Sequence, residues 1–98
     1  MNRTDDLQAA RTIVLTHFQD YPVQIYLFGS QASGNAHPCS DIDIAILPLA
    51  PIPAHIFATA RAALEESNIL RQIDLVNLLE VAPDFRQSVL NTGIAWRP

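Results

Sequence analysis

Two aspartates stand one residue apart inside an apolar run, since Asp41 and Asp43 lie in the segment SDIDIAIL. The run has the residue types of a buried strand, and alternate side chains of a strand share a face, so both carboxylates project from one side. Two like charges this close resist ionising together without a counter-charge. A divalent cation is the simplest one, because Mg²⁺ is typically held by one or two carboxylates and substrate phosphates. The alternative is an acidic edge strand whose charges discourage pairing between sheets.

A third aspartate, Asp74, lies in the strand-like segment IDLV. If this strand pairs with the strand of Asp41 and Asp43, all three carboxylates reach the same face. Three carboxylates on adjacent strands suit two metal ions about 3.5–4 Å apart, one at the attacking and one at the leaving oxygen of a displacement. The sequence therefore favours a two-metal site over an acidic edge.

A glycine and a serine, Gly29 and Ser30, directly follow another strand-like segment. Glycine lets the backbone approach a phosphate closely, and a helical turn beginning at Ser30 would offer free N–H groups to an anion. The alternative is an ordinary turn. The chain contains six arginines and no lysine, which excludes a Walker-type phosphate loop.

Hydrophobic spacing and turn residues predict the elements that position these groups. Helices are expected at about 5–19, 54–67 and 83–92, and strands at about 23–28, 41–47 and 72–78. Residues 30–40 are expected to form a loop or a short helix, and the pattern leaves the tail IAWRP ambiguous. This order predicts an α/β or α+β fold, with helices on one or two sides of a three- to four-stranded sheet.

Length and composition limit the classes of function. The 98 residues predict a single domain spanning 1–98, and a hydrophobic fraction of 49% is normal for a folded core. A net charge of −4 argues against general nucleic-acid binding. Apolar stretches are too short to span a membrane, the start has no signal segment, and the lone Cys39 favours the cytoplasm over an oxidising compartment.

Taken together, GSQASGNAHPCSDIDIAIL and the downstream IDLV are similar to the pattern GSxxxG…SDIDLxV…D. This pattern belongs to the nucleotidyltransferase superfamily with a DNA polymerase β-like palm. The resemblance covers residues 26–47 and 72–76 closely and the remainder by element order. The small size resembles the minimal nucleotidyltransferases, the MNT or MntA-type antitoxins that are encoded beside HEPN-domain toxins.

The resemblance implies transfer of a nucleoside monophosphate, usually AMP from ATP with Mg²⁺, and two magnesium ions are expected. By position, Gly29 and Ser30 would hold the β- and γ-phosphates, and Asp41 and Asp43 would hold the metals. Asp74 would complete the metal set and help to deprotonate the acceptor hydroxyl. In the family the acceptor is a tyrosine of the HEPN partner, which is silenced by adenylylation. A homo-oligomer is compatible with this reading.

The sequence departs from the family pattern at Ser33, where members often carry the arginine of GSxARG, and at His37, another commonly basic position. The rival hypothesis is therefore a non-catalytic module of the same fold that neutralises its partner by binding. A free-standing transferase for a small molecule is disfavoured, since a single domain of 98 residues is not expected to include the extra part that would hold such a substrate.

Overall fold

Four strands form one mixed sheet in the part of the chain that the structure, a computed structural model, describes: residues 3–29, 41–69 and 71–97. The strands are β1 (Val23–Phe28), β2 (Ile42–Pro48), β3 (Ile73–Asn77) and β4 (Ile94–Arg97), and the helices are α1 (Arg3–Phe18), α2 (Ala54–Glu66) and α3 (Pro83–Thr92). The strand order is β3-β2-β1-β4. None of the helices in these ranges is long and apolar enough to cross a membrane.

The sheet combines antiparallel and parallel pairs of strands. β1 runs antiparallel to both β2 and β4, whereas β2 and β3 run parallel. Parallel neighbours require a crossover connection, and α2 supplies it between β2 and β3. The parallel pairing matters for the site because it aligns β2 and β3 in register, with Ile42 opposite Ile73.

One face of the sheet is covered by α1 and α2. Alternation along β2 directs Ile42, Ile44 and Ile46 to this face, and all three are fully buried. Their neighbours in this core include Ala10, Val14 and Phe18 from α1, Val23, Ile25 and Leu27 from β1, and Phe57, Ala60 and Leu64 from α2. These three isoleucines anchor β2 and leave its intervening residues to the opposite face.

The opposite face is covered in part by α3. A second, smaller core joins Ala45 of β2 to Leu78 and to Val89 of α3. Tyr26 and Phe28 of β1 pack against it. The third helix therefore lies on the same face as the odd-numbered residues of β2, which include Asp43.

The fold class expected from the sequence is confirmed, and so are the six predicted elements in the described ranges, each to within two residues at either end. β2 extends one residue beyond its predicted end and includes Pro48, which pairs with Val23 at the end of the ladder. The ambiguous tail forms β4, because its residues pair with β1. The prediction for residues 30–40 lies outside the described residues.

A buried ion pair connects α1 to the beginning of β3. Asp6 Oδ2 lies 3.3 Å from Arg71 Nε, and each side chain is only 7% exposed. One residue further on, the carbonyl of Gln72 accepts a hydrogen bond of 3.0 Å from the backbone N–H of Ile42. The acidic start of α1 therefore helps to fix the end of the sheet at which β2 and β3 begin.

Arg97 connects the edge strand β4 to the carboxyl end of α1. Its Nη1 donates a hydrogen bond of 2.8 Å to the carbonyl of Phe18, one of the helix-end carbonyls without an intrahelical donor. We expect Arg97→Met to lower the free energy of unfolding by about 1–2 kcal/mol, because a charge-assisted hydrogen bond is lost. A thermal melt should show a decrease of about 4–8 °C for each kcal/mol lost. Arg97→Lys keeps the charge and should lose less; an unchanged melting temperature in Arg97→Met would contradict the assignment.

Candidate active site

The side chains of Phe28, Asp43 and Asp74 lie side by side across β1, β2 and β3. Asp43 pairs with Phe28 in the antiparallel ladder and with Asp74 in the parallel ladder. Directly paired residues project from the same face, and neighbouring strands are about 4.8 Å apart. The condition on which the sequence analysis relied, pairing of the two aspartate-bearing strands, is therefore met, with Asp43 and Asp74 side by side.

The predicted residues differ in their exposure to solvent. Asp43 is half-buried, whereas Asp74 is exposed at the outer strand in the described sheet. Asp41 directly precedes β2, two residues before Asp43, and is also exposed. The structure thus brings all three aspartates to the end of the sheet at which β2 and β3 begin, with Asp43 in the centre.

Gly29 follows β1 and lies directly beside the carboxylate of Asp43. Its φ of 75° is in the left-handed region, which glycine adopts without strain. A Cβ atom built at this position would collide with Asp43 Oδ2 and lie 3.3 Å from its Cγ. The turn therefore requires glycine for two reasons, its conformation and the close approach of the carboxylate. Ser30, the other predicted phosphate-binding residue, lies outside the described residues.

The electrostatic environment of Asp43 disfavours its charged form. Burial raises the pKa of the Asp43 carboxyl, and the neighbouring charges of Asp74 and Asp41 raise it further. A cation placed among these carboxylates would reverse the effect of the charges. The arrangement is unfavourable for the empty protein and favourable for one that binds a cation.

The three aspartates form an open group on the surface and not a closed cage of ligands. Within the described ranges, no group of three or more His, Cys, Asp or Glu side chains is arranged as a ready metal centre. Mg²⁺ does not require such a cage, because it commonly takes one or two carboxylates and completes its shell with water and substrate phosphates. Asp43, together with Asp41 or Asp74, offers the oxygen donors for this kind of binding.

The raised pKa gives a testable effect on stability. A carboxyl whose pKa is higher in the folded protein than in the unfolded chain destabilises the fold when it is ionised, and this cost disappears as the pH falls through the folded pKa. In metal-free buffer at about pH 7, we therefore expect Asp43→Asn to melt at a higher temperature than the wild type. The difference should narrow as the pH is lowered and the wild-type carboxyl becomes protonated.

The matched control is Asp20→Asn, an exposed aspartate that precedes β1 at the opposite end of the sheet. Its melting temperature should follow that of the wild type across the pH range. A lower melting temperature for Asp43→Asn at neutral pH would show that the carboxylate stabilises the empty protein, contrary to the geometry.

One further pair of residues at the site was not singled out from the sequence. The ring of Phe85, in the first turn of α3, meets the ring of Phe28 edge-on, with centroids 5.6 Å apart and an interplanar angle of 88°. Phe85 is 42% exposed. The only sequence signal was an aromatic residue at the start of a predicted helix, which does not distinguish a core contact from a site contact.

The fold and the row of carboxylates define the class of protein. The profile of the polymerase beta nucleotidyltransferase family matches residues 13–95, and the chain belongs to this family. The match includes Asp43, Asp74 and Gly29, and it confirms the resemblance drawn from the sequence motifs.

Individual relatives narrow the comparison. A curated relative from Haemophilus influenzae, described as a probable protein adenylyltransferase MntA, is 29% identical over 89% of this chain and 75% of its own length. A solved toxin–antitoxin structure with AMP-PNP is similar at 28% identity and a TM-score of 0.67, covering 88% of this chain and 71% of that one. A complex of a tri-AMPylated Shewanella oneidensis HEPN toxin with an MNT antitoxin is similar at 25% identity and a TM-score of 0.61, covering 91% and 70%.

Proposed function

We propose that this nucleotidyltransferase moves AMP from ATP to a tyrosine hydroxyl of a HEPN-type toxin and thereby acts as its cytoplasmic antitoxin. The observation that carries the proposal is the position of Asp43 between Asp74 on one side and the Gly29 turn on the other. This arrangement offers carboxylates for cations beside a backbone turn for phosphates, as transfer from a nucleoside triphosphate requires.

The residues divide the task by position. Gly29 and Ser30 would hold the β- and γ-phosphates, and Asp41 and Asp43 would hold the metal ions. Asp74 completes the set and orients the acceptor hydroxyl. Bound Mg²⁺ would supply positive charge to the triphosphate and to the oxygens that enter and leave.

The transfer exchanges one bond to the α-phosphorus for another. The acceptor oxygen forms a bond to the α-phosphorus as the bond from that phosphorus to the oxygen bridging to the β-phosphorus breaks. Pyrophosphate leaves on the Gly29 side, and the hydroxyl proton passes to Asp74 and then to solvent. The open, exposed position of Asp74 at the edge of the described sheet leaves room for an acceptor carried by another protein.

The use of the arginines supports metal dependence. Four of the six arginines contact groups of the protein itself: Arg61 the carbonyl of Leu75, Arg86 that of Leu78, Arg97 that of Phe18, and Arg71 the carboxylate of Asp6. Since the chain has no lysine, few side-chain cations remain to neutralise a triphosphate. Metal ions and backbone N–H groups are then the natural alternatives, and a partner protein could add more.

The choice of nucleotide and of partner rests on the relatives. The curated relative carries the description of a protein adenylyltransferase, and one similar complex contains an AMPylated HEPN toxin. Another similar structure contains an ATP analogue, AMP-PNP. Tyrosine as the acceptor comes from the family resemblance and not from these comparisons.

The test is to incubate the protein with a HEPN-type protein encoded beside it, ATP and Mg²⁺, and to measure the intact mass of the partner. We expect the mass to rise in whole AMP units, and the increase to disappear with a chelator or when the modified tyrosine is changed to phenylalanine. A tight complex that silences the partner without any mass increase would instead establish the rival hypothesis, a non-catalytic binding module.

A further inference from the structure

An aromatic surface adjoins the carboxylates on the site face of the sheet. Phe28 is the direct strand neighbour of Asp43, so its side chain projects from the same face. Phe85 approaches from α3 and rests edge-on against the Phe28 ring. Nearly perpendicular rings at this separation form a favourable contact, which places the Phe85 ring beside Phe28. Phe85 is nevertheless 42% exposed, so the contact with Phe28 leaves a large part of its surface uncovered.

The direction of the proposed transfer determines what can reach this surface. In-line displacement places the entering and leaving oxygens on opposite sides of the α-phosphorus. With the pyrophosphate beside Gly29 on β1 and the acceptor beside Asp74 on β3, that axis runs across the strands. The nucleoside is attached to the same phosphorus and must leave it roughly at right angles to the axis. One such direction leads away from the sheet on the face from which the carboxylates project, and α3 with Phe85 lies over this face.

We propose that Phe85, supported by Phe28, is the platform on which the base of the bound nucleotide stacks. This inference rests on the proposed function, because it takes its axis from the roles of Gly29 and Asp74. Every nucleobase has a flat face that can stack on an aromatic ring, whereas the phosphates have none. The platform should therefore contribute to the binding of the nucleoside part and not to that of the triphosphate.

The test compares two probes by titration calorimetry, ATP and inorganic tripolyphosphate, both with Mg²⁺. Loss of one base–aromatic contact typically weakens binding by roughly 5- to 150-fold. We expect Phe85→Ala to weaken ATP binding within this range and to leave tripolyphosphate binding unchanged. Phe85→Trp retains a flat ring and should bind ATP at least as well as Phe85→Tyr. Phe85→Leu keeps the apolar cover over Phe28 and serves where the alanine variant is unstable; it should also lose affinity for ATP alone.

The matched control is Leu49→Ala, which removes an exposed apolar side chain beyond the far end of β2 and should change neither affinity. Unchanged ATP affinity in both Phe85→Ala and Phe85→Leu would overturn the platform and assign the ring to another contact, such as the acceptor. Equal losses for ATP and tripolyphosphate would overturn it too, since the site as a whole would have been disturbed. If the wild-type protein bound neither probe, the proposed function itself would be contradicted, a result that differs from failure of the platform alone.

Discussion

Replacing Asp74 by asparagine is expected to lower the rate of AMP transfer by about 10²- to 10⁴-fold, the usual contribution of a positioned general base. Asparagine has nearly the same shape but cannot accept the proton of the acceptor hydroxyl. Because Asp74 is exposed, the substitution should change the free energy of unfolding by less than about 0.5 kcal/mol. The partner's intact mass after incubation with ATP and Mg²⁺ measures the transfer.

The same variant should still form the complex with its partner, since no packing contact is removed. Size-exclusion chromatography of the mixture checks this separately from the chemistry. Asp20→Asn, which removes an exposed charge near the start of β1, is the matched control and should transfer AMP at the wild-type rate. Full transfer by Asp74→Asn would show that the proton leaves by another route and that Asp74 has no part in the reaction.

Gly29→Ala is expected to damage both the fold and the site. A left-handed backbone costs a residue other than glycine roughly 1–2 kcal/mol, and the new methyl group would collide with the Asp43 carboxylate. The strain should lower the melting temperature, and the displaced carboxylate should lower transfer further. A misplacement of about 1 Å at a reacting centre can cost about 10²-fold in rate. Thermal melts and the transfer assay, performed well below the melting temperature, separate the two effects.

Gly93→Ala provides the matched control for steric damage without damage to the carboxylates. Gly93 ends α3 with a φ of −71°, so alanine is conformationally acceptable there. Its Cβ would lie 2.6 Å from the Val89 carbonyl oxygen and 3.2 Å from that of Leu27, so the fold should be destabilised. The rate of AMP transfer by the folded Gly93→Ala protein should remain close to that of the wild type. If Gly29→Ala changed the melting temperature and the transfer rate only as Gly93→Ala does, the contact between Gly29 and Asp43 would not contribute to transfer.

The local pattern was sufficient to predict most elements. The apolar run of β2 and the regular spacing of Ala10, Val14 and Phe18 in α1 are both strong signals, and both elements formed as expected. β4 was not predicted, because four residues carry no resolvable period and become a strand only through pairing with β1. Strand pairing is a long-range choice, so the sequence could state the alignment of Asp43 with Asp74 only as a condition.

Two side-chain contacts were also not predicted from the local pattern. An acidic residue near the start of a helix is ordinarily a helix-start signal, yet Asp6 is buried against Arg71. Asp6 precedes Ala10 by four residues and so continues the buried stripe of the helix, a spacing that could have indicated its burial. The Phe28–Phe85 contact joins residues from β1 and α3, and nothing in either segment alone indicates it.

The late position of β4 in the chain has a consequence for aggregation. β1 reads VQIYLF, six residues with no charge and no proline, the composition of segments that stack into amyloid-like sheets. One edge of β1 is paired with β2. The other edge is paired only when β4 forms, and β4 is distant in sequence, since its Ile94 pairs with Leu27. Closing so long a loop is slow relative to local contacts, so a folding molecule exposes this edge for a time. Any substitution that weakens the pairing of β4 therefore exposes the edge of β1, and the first effect to be seen should be insoluble protein.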